Sequence, residues 1–300
     1  LLCSPVFACS IPVFRYALER WPADVYEVIV FHQEPLSLEG QALVDKLQKA
    51  CPDEDGASSD IDSPANAIVK IVNLATSPDE AMRKLWEAQS ASELPWMVVK
   101  YPGSSRIPEN VWSGHFTAAA VEMLLNSPTR KEIARRILEG ESTVWVLLES
   151  GVQQQDDTAA LLLETQLKKM EETLEISAAE EDGIVDMAYT RANPNLRAKF
   201  SMVRLSRNEP GEQIFVQMLL HTEWDIKTVS KPMAFPIFGR GRVLYTLVGD
   251  GINEDNIERS CSFLVGWCSC EVKELNPGID LLMSVNWENM IAEQLVEYYE

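Results

Sequence analysis

Two stretches of the chain, "VYEVIVFH" (25–32) and "STVWVLLESG" (142–151), are near-continuous runs of β-branched and other apolar residues. A strand that is apolar at successive positions buries both of its faces, which needs a sheet covered by helices. The segments after the first run fit that demand. "SLEGQALVDKLQKA" (37–50) carries Leu43 and Leu47 at helical spacing, and "NAIVKIVNL" (66–74) is a second buried-type strand. "SPDEAMRKLWEAQ" (77–89) is a helix, for which Ser77 is the expected cap, Pro78 sits in the first turn and Glu80 completes a capping box. "LPWMVVKYPG" (94–103) is a strand opened by Pro95, and "GHFTAAAVEMLL" (114–125) supplies a short strand and the start of a helix. "SPTRKEIARRILEG" (127–140) adds a helix that stops on Gly140.

After the second run the same order of signals returns. "DDTAALLLETQLKKMEETLEI" (156–176) is a long amphipathic helix with Leu163, Leu167, Met170 and Leu174 on one face. "KFSMVRLSR" (199–207) is a strand and "GEQIFVQMLLHTEW" (211–224) a helix. "FPIFGRGRVLYTLVGDGI" (235–252) reads as two strands joined at Gly239-Arg240-Gly241, and "NEDNIERSCSFLVGW" (253–267) as a closing helix. Each half is therefore β-α-β-α-β-β-α, an α/β chain of two tandem domains at 10–140 and 141–283, with 284–300 as a C-terminal helix or tail. Trp287, Ile291 and Leu295 lie four residues apart in that tail, a spacing suited to docking on the core. Residues 52–64 and 177–198 are irregular insertions, the first strongly acidic.

That order, with a proline opening the third strand of each half, resembles the thioredoxin fold. The resemblance implies two central mixed sheets flanked by helices, with Pro95 and Pro236 as the candidates for its cis proline. Catalytic members of that family place Cys-x-x-Cys after the first strand, where the helix N-terminus lowers the first thiol's pKa. Here the two positions read "HQEPLSLEG" and "ESGVQQQDDT", without cysteine. The chain is similar instead to the non-catalytic thioredoxin-like domains of protein disulfide isomerases and calsequestrin, which bind proteins or cations.

The cysteines lie elsewhere. Val6-Phe7-Ala8-Cys9 resembles a bacterial lipobox, with Cys9 as the lipidation site, and Cys3 would leave with the leader. Cys51, Cys261, Cys268 and Cys270 then remain, an even number that an oxidising compartment allows to pair. Cys268-Ser269-Cys270 has three readings: a structural pairing of one of them with Cys51 or Cys261, a strained and oxidising redox pair, or a metal clamp. The first ranks ahead of the second. The third ranks last, because His32, His115 and His221 are scattered without ligand spacing. Cys261 sits on the apolar face of its helix and His221 near a helix end, as a surface or capping residue. Within "CPDEDGASSDID", Asp53, Asp55, Gly56 and Asp62 fall near calcium-loop positions, but Cys51 holds the essential first one. Gly239-Arg240-Gly241-Arg242 fits a turn, and no phosphate loop, dinucleotide fingerprint or nucleophile elbow is present.

With 46 acidic against 26 basic residues the net charge is −20, which repels nucleic acid and anionic lipid. The sequence thus points to an acidic binding or scaffold protein of the bacterial cell envelope, with a protein partner, no cofactor, no metal, and contact with the membrane only through a lipid on Cys9. The alternatives are a thiol-disulfide oxidoreductase acting through Cys268 and Cys270, and a low-affinity calcium binder. Mass spectrometry of the native N-terminal peptide is expected to show an acylated Cys9 with residues 1–8 removed; an unmodified Cys9 still preceded by them overturns the anchor.

Overall fold

The computed structural model describes residues 11–51, 64–90, 93–176, 197–266 and 272–292. Its framework is two separate mixed sheets. In the first, β1 (Tyr26–His32) lies between β2 (Ala67–Asn73) and β3 (Trp96–Lys100), and β4 (Asn110–His115) closes the far edge, giving the order β2-β1-β3-β4. β2 is parallel to β1, with Val28 opposite Val69, while β3 and β4 run antiparallel, with Val28 opposite Val99. In the second, β5 (Thr143–Leu148) lies between the parallel β6 (Phe200–Leu205) and the antiparallel β7 (Met233–Phe238). Beyond β7 come β8 (Arg242–Val243) and β10 (Ile279–Asp280), with β9 (Leu247–Val248) beside the start of β7. All six residues of β5 are buried, as its unbroken apolar run requires.

The helices are α1 (Val13–Arg20), α2 (Leu38–Ala50), α3 (Glu80–Glu87), α4 (Ala118–Leu125), α5 (Pro128–Leu138), α6 (Gln153–Thr173), α7 (Gln213–Leu220) and α8 (Glu254–Val265). Alternation along the strands splits the apolar residues into layers. Val28, Val30, Met97 and Val99 from the first sheet, and Val144, Val146, Phe235 and Ile237 from the second, turn toward each other across α2, α4, α5 and α7. All of these join in one core cluster. On its outer face the second sheet meets α6 and α8 through Trp145, Leu147, Leu163, Ile257 and Cys261. The first sheet's outer face has a thinner cover: Ile29, Phe31 and Val98 under α3, with Trp86 against Phe31 at 5.5 Å between ring centroids.

Several local outcomes differ from the sequence expectations. α3 is capped by Asp79, whose carboxylate accepts from Met82 N–H at 2.8 Å; Ser77, two residues earlier, adopts a left-handed conformation instead. Pro236 does not open a strand and its peptide bond is not cis; among the described residues the cis bond is Leu94–Pro95. Pro236 sits inside β7 opposite Trp145, and the proline that precedes the strand is Pro232. A strand residue's N–H and C=O point to the same side. The Pro236 carbonyl accepts from Leu244 N–H, and the return bond that an N–H at 236 would make to Leu244 is absent, at the point where β8 ends.

The two ends of the chain cross over. α1, sequence-wise in the first half, packs on the second unit through Val13, Phe14, Ala17 and Trp21 against Phe238, Leu244 and Leu264. A Cβ at Gly239 would stand 2.7 Å from that of Ala17, so the approach of α1 requires glycine there. Conversely, residues 281–287 leave the second sheet and cross to the first unit. Met283 C=O accepts from Asn66 N–H, Ala65 bridges Ser284, and Trp287 is buried in the common core.

Where the crossings meet, charge is buried. Asp280 takes Arg242 Nη1 at 2.7 Å on one oxygen, and Lys273 Nζ with Asp24 N–H on the other. Lys273 is 8% exposed and also donates to Asp24 Oδ1 and the Pro22 carbonyl, both at 2.6 Å. Arg242 completes its fork on the carbonyls of Pro277 and Asn276 and lies 5.8 Å from the centre of the Trp21 ring. Removing one partner from such a set leaves a desolvated charge unmatched, which costs about 3–5 kcal/mol. Asp280→Ala is therefore expected to lower the urea midpoint severely, whereas Glu80→Ala, which breaks the exposed pair with Lys84, is expected to cost less than about 1 kcal/mol.

Candidate functional site

The turns after β1 and β5 correspond to each other in the two sheets. After β1, His32 Nδ1–H donates to the Glu34 carbonyl at 3.0 Å, and Ser37 caps α2 by accepting from Gly40 N–H at 3.1 Å. Leu38, the first helical residue, is 93% exposed. After β5 a carboxylate replaces any side-chain cap. The buried Asp156 accepts from Ser150 N–H at 2.7 Å, Ser150 Oγ–H at 2.8 Å and Gly151 N–H at 3.0 Å. Val152 N–H donates to the same Ser150 hydroxyl. Gly151 has a φ of +90°, so the turn that Asp156 clamps needs a residue free of the Cβ clash.

This clamp sets the start of α6, and beside that start lies a groove of about 540 Å³. One wall is α6, through Gln154, Gln155, Thr158, Ala159 and Leu162. The other is backbone and short side chains: Lys231-Pro232 leading into β7, and Gly249-Asp250 with Ile252 leading out of β9. The second wall is held together by the Gly249 N–H bond to the Pro232 carbonyl at 2.9 Å. Gly249 has a φ of +52°, and a Cβ there would meet Lys231 Cδ at 2.5 Å. Lys231 Nζ and Asp250 Oδ2 stand 3.5 Å apart at the rim, where solvent screening leaves the pair weak and the local charge near zero. The lining is thus largely apolar, with two glutamine amides beside it. Thr158 turns its hydroxyl back to the Gln154 carbonyl at 2.7 Å.

The residues singled out from sequence are dispersed. Cys9, Cys268 and Cys270 lie outside the described residues, as does the acidic stretch from Asp53 to Asp62. Cys51 and Cys261 are free, buried thiols rather than partners in a disulfide, and burial pushes each up to about 12. Cys51 packs in the common core and Cys261 between the second sheet and its outer helices. His32 and His115 lie on different strands, and His221 is buried rather than at the surface. No group of three or more histidine, cysteine or acidic residues among the described residues is placed to hold a metal ion. Pro95 stands at the start of β3, and Gly239 to Arg242 form the β7–β8 turn.

The groove itself escaped the sequence reading. Its signals were Pro232, just ahead of an apolar run, and the Gln153-Gln154-Gln155 triplet opposite it. Neither has meaning until the sheet brings residues 154–162, 231–232 and 249–252 together. No protein-family model, curated protein or solved structure matches this chain. No helix of the described residues is long and apolar enough to cross a membrane.

A thiol with a pKa of about 12 is thiolate in only about one molecule in ten thousand at pH 8, and only the thiolate attacks. Iodoacetamide at pH 8 is therefore expected to leave Cys51 and Cys261 unmodified in the folded protein and to alkylate both in urea. Peptide-resolved mass spectrometry reads the result, and rapid native labelling of either contradicts it.

Proposed function

We propose that this chain is a binding protein made of two thioredoxin-like domains that lack exchange thiols, and that the groove beside α6 receives an extended peptide segment of a protein partner. The strand order β2-β1-β3-β4, repeated as β6-β5-β7-β8, supports the domain reading. The observation that carries the functional reading is the groove's position and lining. It sits at the helix start after the first strand of its sheet, where exchange enzymes of this fold hold their cysteines, and its walls offer apolar surface, glutamine amides and a self-neutralised ion pair.

Such a lining favours an uncharged ligand that carries its own amides, which describes a peptide backbone with small apolar side chains. Asp156 keeps the helix start rigid, so the groove is pre-shaped and loses little entropy on binding. The acidic surface disfavours acidic partners and leaves basic or neutral ones. An envelope location, through the Cys9 motif, is part of the same proposal.

The test is a variant that fills the groove. Ala159 is half-buried in its α6 wall, and Ala159→Trp places an indole across it. On an array of unstructured peptides the unmodified protein is expected to select a subset. Ala159→Trp is expected to lose at least about tenfold in affinity for that subset, or about 1.4 kcal/mol, with its melting temperature retained. Equal binding by both proteins overturns the assignment.

A further inference from the structure

His221 closes α7, and α7 is the helix of the second unit that enters the inner layer, against α4 and β4 of the first. The ring is 9% exposed and crosses the seam between the units. It stands edge-on to Tyr101, at the end of β3, with 5.7 Å between ring centroids, and its Nδ1 lies 3.0 Å from the Tyr101 hydroxyl. That hydroxyl is also 3.2 Å from the Gln217 carbonyl, and Tyr101 packs in turn on Tyr26 at 5.8 Å. Nε2 is buried without a hydrogen-bond partner.

This arrangement suits the neutral ring that carries its proton on Nδ1: Nδ1–H donates to the Tyr101 oxygen, whose hydroxyl donates onward to the Gln217 carbonyl, and Nε2 is bare. Any form with a proton on Nε2 leaves a buried donor with nothing to receive it, and in the cation that donor is charged. The charged groups around the ring give it little help. Lys227, on the same connection, repels a cation, and Glu109, on the exposed loop before β4, attracts one more weakly than Lys227 and burial oppose it. These effects hold the ring's pKa below its ordinary 6.5, with burial the largest.

The chain that leaves His221 leads to the outer wall of the groove, which it enters at Lys231 and Pro232. It runs through Thr222, whose hydroxyl is 2.9 Å from that of Thr246, and Trp224, which is 93% exposed, past the buried Ile226 to Lys231 and Pro232. Its far end is pinned by Arg207 Nη2–H to the Lys231 carbonyl at 2.9 Å. One side of the connection is therefore fixed by the seam and the other by the groove.

We propose that His221 is an acid-released latch: protonation of its buried ring breaks the seam contact with Tyr101 and frees the 221–232 connection, which shifts the Lys231-Pro232 wall of the groove. The sign comes from linkage. A histidine whose folded pKa is depressed destabilises its folded setting as pH falls from the unfolded value of 6.5 through the folded one, and contributes no such loss above 6.5. The latch is closed at neutral pH and opens on acidification. Its effect on a ligand rests on the peptide-groove reading; the latch itself does not.

Hydrogen exchange of the intact chain at pH 7.5 and 5.5, corrected for intrinsic rates, tests the latch. Peptides covering 219–232 and 96–103 are expected to lose protection severalfold, up to the limit of about tenfold that one histidine allows, at pH 5.5, while β5 and α6 keep theirs, and His221→Gln is expected to remove the difference. Unchanged protection in the unmodified protein, a loss spread evenly over the chain, or the same acid response in His221→Gln overturns the proposal. Should the variant not fold, the NMR titration of the His221 Cε1 proton decides: a midpoint below 6.5 coincident with loss of the Tyr101 contact supports the latch, and a midpoint at or above 6.5 sinks it. Opening without any change in affinity for the array-selected peptides overturns the link to the groove alone.

Discussion

Two sheets that each bury one face against the same helices are bound to one another by the cost of exposing those faces. Here α2, α4 and α5 come from the first half and α7 from the second, and Val28, Val99, Val144 and Phe235 all contribute to the core they fill. At about 25 cal/mol per Å² of apolar surface kept from water, a shared layer of this kind outweighs individual polar contacts at its border. Separating the halves would strand α7 from β4 and α4 and open a face of each sheet at once. The seam is interior packing, and the buried ion network and His221 are positioned by it.

The ion network has a different part to play. Asp24, Lys273, Asp280 and Arg242 satisfy one another and the carbonyls around them, so their burial carries little net cost and little net gain. Their contribution is register. An apolar layer tolerates sliding, whereas a fork from Arg242 to Asp280, with Lys273 shared between two carboxylates, is satisfied in one relative placement. Arg130 acts in the same way inside the layer, donating to the carbonyls of Met123, Leu124 and Leu282.

Much of the fold was legible because its strands are of the kind that sequence displays plainly. "VYEVIVFH" and "STVWVLLESG" are central strands and needed no context, and the spacing of Leu163, Leu167 and Met170 predicted their burial on α6. Apart from the cap of α3, which Asp79 takes from nearby Ser77, the failures share a cause: the deciding partner was far away in sequence. Pro236 passed for a strand opener because the break between β8 and β9 that accommodates it shows no local sign. α1 went unread because the surface that buries Phe14 and Ala17 is built by Phe238 and Leu264. His221 looked like a surface or capping residue but is buried against Tyr101, 120 positions away, and Lys273, which the sequence left unremarked, is buried beside Asp24, 249 away. The groove is illegible for the same reason.

The crossed termini bear on how the protein is made. The first unit's core is closed by Trp287, and its β2 entrance by Met283 and Ser284, while α1 finds its berth only on Phe238 and Leu264. A ribosome that has released the first 140 residues has therefore not yet delivered the segments that unit needs, and α1 must wait with its apolar face unburied. That unit is completed only once residues 281–287 have been made, so its apolar segments stay uncovered while the second half is synthesised.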